Sequence, residues 1–123
     1  MIAGLIVGHH NIGEAILTAI ESISGSHKHL SSISNNGLST GELTEKIKNF
    51  ASSMNNNGLL IFVDVYGGSC WRAVKMAKAP KSHIVTGINL PMLLSFIQKR
   101  ESLSFDDLPR VLETDGKRGI TCE

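Results

Sequence analysis

The sequence predicts an α/β fold, with a mainly parallel sheet and helices on both faces. Three observations carry this. Continuous apolar runs such as Ile2–Val7 (IAGLIV) and Leu59–Val63 (LLIFV) have the pattern of strands buried on both faces. Stretches with helical periodicity lie between them. The alternation β-α-β-α-β-α-β-α runs along the chain without an internal repeat or a linker, as parallel strands joined by helical crossovers require.

Each element has its own local warrant. Ile2–Val7 is the first strand, ended by Gly8. Asn11–Ser24 is a helix with Ile12, Ala15, Ile16, Ala19, Ile20 and Ile23 on one stripe, stopped by Gly25 and Ser26. Leu30 and Ile33 mark a weak second strand, followed by a turn at Asn35, Asn36 and Gly37. Ser39–Met54 is a helix with Leu43, Ile47, Phe50 and Met54 on one face, and Ser39 with Glu42 has the spacing of a capping box. A turn at Asn55–Gly58 leads into the Leu59–Val63 strand. Asp64–Ser69 (DVYGGS) is a loop, Cys70–Ala79 a third helix and His83–Ile88 a fourth strand. Asn89 caps the next helix, with Pro91 in its first turn and an end near Lys99. Ser104 starts a last helix with Asp107 as its capping partner, and Gly116–Cys122 reads as a short edge strand.

Composition limits the function classes. At 123 residues the chain is one domain, 1–123, large enough to bury a core without a disulfide or metal framework. A 41% hydrophobic and 19% charged composition is that of a globular protein. The net charge of +1 argues against a dedicated nucleic-acid binder. Cys70 and Cys122 are too few for a disulfide scaffold and read as reduced thiols. No stretch approaches the ~20 apolar residues of a membrane span. The expected location is cytoplasmic, with no direct membrane insertion.

In open α/β sheets, ligands bind beyond the carboxyl ends of the strands, where strand order reverses. Polar residues directly after buried strands are therefore the candidates. After the first strand stand His9 and His10; after the third, Asp64 and the Gly67-Gly68-Ser69 turn; after the fourth, Asn89. With strand order 2-1-3-4, His10 and Asp64 face each other across the switch point, although two adjacent histidines leave the choice between them open. A carboxylate that accepts the proton of one ring nitrogen leaves the other as a lone-pair nucleophile. The Gly-Gly-Ser turn at a helix N-terminus suits an anion. No Walker lysine signature is present. His27 and His29 form an H-x-H without a Cys or carboxylate nearby in sequence, so no metal and no cofactor are expected. Cys70 has two readings, a thiol activated at a helix N-terminus or a packing residue, and packing is the simpler. Trp71 and Arg72 are read as a partner-contact patch or a plain helix surface.

The segments IVGHH, LLIFVDVYGGS and GINLPMLL, in this order and spacing, resemble the IIA domain of the mannose family of the bacterial sugar phosphotransferase system (PTS), from Ile2 to about Gly119. The resemblance implies a flavodoxin-like sandwich, a homodimer and a phosphoryl carrier. It implies that the phosphocarrier protein HPr donates a phosphoryl group to a histidine, here His10. That histidine passes it to a histidine of a IIB component, expected as a separate protein, for sugar uptake. Asp64 becomes the orienting carboxylate, and Ser69 with Gly68 the phosphoryl-binding turn. Two departures stand out. Asn11 follows His10 where the family commonly has glycine, and Cys70, Trp71 and Arg72 follow the turn where Pro or Thr, an aromatic and asparagine are common. The alternative is a regulatory domain whose phosphorylation state a signalling or transcription partner reads. The phosphotransfer subunit of a dihydroxyacetone kinase has a similar fold but fits the Gly-Gly-Ser and INLPM segments less well, and a third reading, a generic flavodoxin-like binder of a small anion, predicts no stable phosphohistidine.

Overall fold

The apolar runs pair in the expected order. The computed structural model describes residues 1–54 and 57–123, so Asn55 and Asn56 of the anticipated Asn55–Gly58 turn lie outside the described residues. Strands β1 (Ala3–Gly8), β2 (Leu30–Ser34), β3 (Leu59–Val63) and β4 (Ser82–Thr86) form one sheet of order β2-β1-β3-β4. Every pairing is parallel, with Val7 opposite Ile33 on one side and Val63 on the other. The helices are α1 (Ile12–Ser24), α2 (Thr40–Ser53), α3 (Ser69–Ala77), α4 (Leu90–Lys99) and α5 (Leu108–Arg118).

Strand alternation divides the core into two layers. Ala3, Leu5 and Val7 of β1 with Leu59, Ile61 and Val63 of β3 pack against Leu43, Ile47, Cys70, Ala73 and Val74 of α2 and α3. Ile6 of β1 with Leu60 and Phe62 of β3 packs against Ile20, Leu93, Phe96, Leu108 and Leu112 of α1, α4 and α5. Phe62 and Phe96 meet edge to face with centroids 5.1 Å apart, a favoured aromatic geometry. Gly4 admits Phe96, since a Cβ there would lie 2.8 Å from the Phe96 ring.

Local signals account for most boundaries. At the start of α2 the Ser39 side chain accepts from the Glu42 N–H, and the Glu42 carboxylate accepts from the Ser39 N–H. Asn89 caps α4 by accepting from the Met92 N–H. Arg100, buried at the end of α4, donates to the carbonyls of Ile2, Lys28 and His29. It thereby ties that helix to the chain entering β1 and β2, a role its polarity conceals in the sequence.

Two expectations at the C-terminus are corrected. The last helix begins at Leu108 rather than Ser104. The Leu108 N–H does reach the Ser104 carbonyl at 3.1 Å, but Pro109 has no N–H to give the Phe105 carbonyl, so that bond stays isolated from the ladder of the helix. Ser104 instead makes a turn, its hydroxyl accepting from the Asp107 N–H. The anticipated strand over Gly116–Cys122 is absent: α5 continues to Arg118, and residues 119–123 form no strand.

Candidate functional site

The register of the two central strands sets the site. Val7 and Val63 are the last pair between β1 and β3, so the chains leaving them run side by side into their loops. Asp64 is the first residue beyond β3, and its N–H still reaches the Val7 carbonyl at 3.4 Å. His9 is the first residue beyond β1. Its backbone N–H donates to Asp64 Oδ2 at 2.9 Å, and its ring Nδ1 lies 2.8 Å from the same oxygen. The other carboxylate oxygen accepts from the Val65 N–H at 2.9 Å. The Asp64 side chain is 9% exposed and that of His9 44%. A nearly buried carboxylate thus grips one edge of a half-exposed imidazole.

That grip fixes the tautomer. An ionised carboxylate only accepts, so Nδ1 carries the proton and Nε2 keeps its lone pair. Nε2 faces the start of α3. Ser69 Oγ stands 3.5 Å from it, beyond good hydrogen-bond length. Gly68, the N-cap, leaves the approach clear: a Cβ there would sit 3.4 Å from His9 Cε1 and 3.8 Å from Nε2. The first N–H groups of α3 have no partners inside the helix and favour an anion in front of them. The arrangement offers a nucleophilic nitrogen, an orienting carboxylate and an anion cradle.

The expectation that His10 faces Asp64 is corrected. His9 takes that place, and His10 turns to the other side of β1. Its φ of +55° is left-handed backbone, which reverses the chain into α1 and carries the ring away from β3. The His10 N–H donates to Asn35 Oδ1 at 3.1 Å, and its carbonyl accepts from the Ser34 hydroxyl. Its side chain lines a separate cavity of about 260 Å³ with Asn11, Glu14, Ser32 and Asn36. Asp64, Gly68 and Ser69 do converge, on His9. The strand end decides it: β1 runs through Gly8, so His9 is the first residue past it, whereas a strand ended at Val7 does not single out either histidine.

Cys70 is fully buried in the second position of α3, with Sγ 3.7 Å from His9 Nδ1. Burial, reinforced by the neighbouring Asp64 charge, pushes its thiol up to about 11. It is therefore a packed neutral thiol, as the simpler reading held. Ile12, Val65 and Tyr66, which follow His9 and Asp64 within three residues along the chain, are exposed apolar side chains. Tyr66 rests on Trp71 at 4.9 Å between centroids, with Lys75 over the indole face. Tyr66 and Trp71 also line a cavity of about 630 Å³ against β4 and α5, which His9, Asp64 and Ser69 do not line. His27 instead shares a hydrogen bond with Ser24. No helix among the described residues is long and apolar enough to cross a membrane.

Residues 4–112 match the family EIIA-man, described as PTS system fructose IIA component. The chain is 28% identical over 126 aligned residues to the PTS system mannose-specific EIIAB component of Escherichia coli K12, covering 98% of this chain and 39% of that protein. The chain thus spans well under half the length of the curated relatives it matches. Among solved structures, it superposes on phosphotransferase system component EIIA from Streptococcus agalactiae with a TM-score of 0.90 and 24% identity, covering 99% of this chain and 97% of that one. The mannose/sorbose specific IIA subunit from Enterococcus faecalis gives 0.83 and 22%, covering 100% of this chain and 96% of that one.

Proposed function

The chain belongs to the EIIA-man family of phosphotransferase-system IIA components, and from that premise we propose that it is a phosphoryl carrier whose acceptor is Nε2 of His9. The observation that carries this is the Asp64 Oδ2 to His9 Nδ1 contact of 2.8 Å, which leaves Nε2 as the free nitrogen in front of Gly68 and Ser69. The donor is phospho-HPr and the acceptor a histidine of a IIB component, so the chain acts in the cytoplasm as a link in sugar uptake. The homodimer implied by the resemblance belongs to this reading, and light scattering of the purified protein tests it.

The transfer follows from the residues in place. The Nε2 lone pair attacks the phosphorus, the bond from phosphorus to the donor's ring nitrogen breaks, and a phosphorus–Nε2 bond forms. Such transfer has a loose transition state, so the protein contributes alignment and charge stabilisation. Asp64 holds the ring and offsets the positive charge that grows on it as Nε2 bonds to phosphorus. The Ser69 hydroxyl and the α3 N–H groups donate to the phosphoryl oxygens. No metal is required, because the group arrives on a nitrogen leaving group. The left-handed His10 supports the same choice: the family's common glycine after the active histidine suits a positive φ, and that position follows His9. The exposed Ile12, Val65 and Tyr66, close in the chain to His9 and Asp64, offer both partners apolar surface.

The test is phosphorylation by phosphoenolpyruvate, enzyme I and HPr, read by intact mass at neutral pH. The expected gain is one acid-labile phosphoryl group, lost in His9→Ala and kept in His10→Ala. Labelling kept in His9→Ala and lost in His10→Ala would refute the assignment. No labelling of the wild-type chain with cognate partners would refute the carrier reading itself.

A further inference from the structure

Among the described residues, one set of His, Cys, Asp and Glu side chains brings three different donor types together: His9, Asp64 and Cys70, with ligand atoms all within 4.8 Å of one another. We propose that these three residues bind a thiophilic divalent cation of the zinc class, and that the bound ion switches His9 off as a nucleophile. Binding rests on the cluster alone; the switching rests on the phosphoryl-carrier reading above.

The two separations from Nδ1 are near those such an ion sets, and the Asp64 carboxylate and Cys70 Sγ lie within 4.8 Å of each other. Metal bonds of ~2.0–2.3 Å at tetrahedral angles separate nitrogen from oxygen by ~3.3 Å and nitrogen from sulfur by ~3.5 Å. His9 Nδ1 lies 2.8 Å from Asp64 Oδ2 and 3.7 Å from Cys70 Sγ. The sulfur is already at metal-bridged distance, and the imidazole needs to move from the carboxylate by about half an ångström. That movement is available, because the His9 ring is the half-exposed member while Asp64 and Cys70 are held in the fold. The exposed side of the ring is also the route of entry. Solvent supplies the fourth position. An imidazole, a carboxylate and a thiolate favour zinc over the hard cations magnesium and calcium, which take oxygen ligands.

Proton accounting gives the consequence. The Cys70 S–H proton leaves to solvent as the metal–sulfur bond forms. The Nδ1 lone pair becomes a ligand, so the neutral ring carries its proton on Nε2. Asp64 no longer accepts from Nδ1. The nitrogen that attacks phosphorus in the free protein is then protonated, and the metal-loaded chain cannot accept a phosphoryl group until the ion is removed.

Cobalt(II) is the probe, because a thiolate ligand gives a charge-transfer band and a tetrahedral site gives intense visible bands. The full chain carrying Cys122→Ser, which removes the exposed second thiol, is titrated with cobalt and then with zinc in competition. The expected result is one equivalent bound with a thiolate band, and affinity at least ~100-fold weaker in Cys70→Ala, Cys70→Ser and His9→Gln, beyond the loss that a mere second-shell change causes. Circular dichroism confirms that each variant is folded. A thiolate band that survives Cys70→Ala, or no thiolate band in the Cys122→Ser chain, overturns the site. In the phosphorylation assay, zinc blocks labelling of the Cys122→Ser chain, a chelator restores it, and Cys70→Ala is labelled with zinc present. Labelling unaffected by zinc at saturating occupancy overturns the switch. A Cys70- and His9-dependent cobalt band in a chain never labelled under any condition would leave the metal site standing and remove the carrier reading.

Discussion

Replacing Asp64 by asparagine isolates what the carboxylate does for His9. Oδ2 of Asp64 accepts from both the backbone N–H and Nδ1 of His9, while Oδ1 accepts from the Val65 N–H. Asparagine keeps the shape but has only one acceptor oxygen. If that oxygen faces His9, the amide NH₂ opposes the Val65 N–H. If it faces Val65, the NH₂ opposes the His9 N–H and donates to Nδ1, which moves the ring proton to Nε2. Both orientations lose the charge-assisted bond to the ring, worth about 1.5–3 kcal/mol. Since the positive charge on the ring develops during transfer, that loss falls on the transition state. At about 1.4 kcal/mol per decade, phosphorylation slows roughly 10- to 150-fold. Rapid-quench single-turnover phosphorylation from phospho-HPr measures the rate, and a long-range proton–nitrogen spectrum of histidine-labelled protein reads the tautomer. Asp64→Asn that is folded, phosphorylates at the wild-type rate and keeps Nδ1–H would refute the reasoning.

Other consequences are separately measurable. Ser69→Ala removes one neutral donor to the phosphoryl group and leaves the α3 N–H groups, so transfer slows by about 5- to 10-fold, the worth of one hydrogen bond near 1 kcal/mol, with the melting temperature little changed. Cys70 holds its proton to about 11 against 9.0 for an ordinary thiol. Between those pH values the unfolded chain has released a proton the folded chain keeps, so this contribution to stability is full below about pH 9 and is lost as pH rises toward 11. Urea unfolding across that window should therefore fall more steeply for Cys122→Ser than for Cys70→Ala/Cys122→Ser; equal slopes would contradict it. Phe96→Ala empties a fully buried ring site beside Phe62 and Gly4 and costs about 3–5 kcal/mol in denaturant unfolding.

The fold was legible because its strands are apolar on both faces. Leu59–Val63 is both the strongest strand pattern in the chain and the observed β3, and β1 differs from its reading by one residue at each end. Helices α2 and α4 were marked by caps that the structure forms in full. What failed lies at the C-terminus, where apolar content does not discriminate. Ile120 is the one large aliphatic residue of the last five and is 74% exposed, so no packing selects a strand there. Ser104 and Asp107 have cap spacing, but Pro109 decides where the helix ladder begins. Arg100 was invisible because its burial rests on three carbonyls from segments about 70 to 100 residues away.

The site was legible as a place, and the histidine beside Asp64 is one residue from the expected one. Topology put the loops after β1 and β3 together, and Asp64, Gly68 and Ser69 met there as the switch-point rule requires. Composition cannot separate two adjacent histidines, but backbone geometry can. His9 directly follows β1, whereas the left-handed backbone of His10 turns the chain away, so only His9 of the pair is carried to Asp64. Register selects it: Val7 pairs with Val63, and the His9 N–H then reaches the carboxylate of Asp64. The second histidine is displaced by the left-handed turn that starts α1, a conformation an L-residue adopts here with its N–H and carbonyl tied to Asn35 and Ser34. Those bonds hold the strained residue, but it is the register of β1 and β3, not they, that sets His9 beside Asp64. Loosening them tests that link: Asn35→Ala with Ser34→Ala frees His10 from its contacts while His9, Asp64 and Ser69 are untouched. Labelling should remain wholly on His9, with only stability lowered. Phosphate found on His10 in that variant would show that the Asn35 and Ser34 bonds, rather than the register of β1 and β3, select the acceptor.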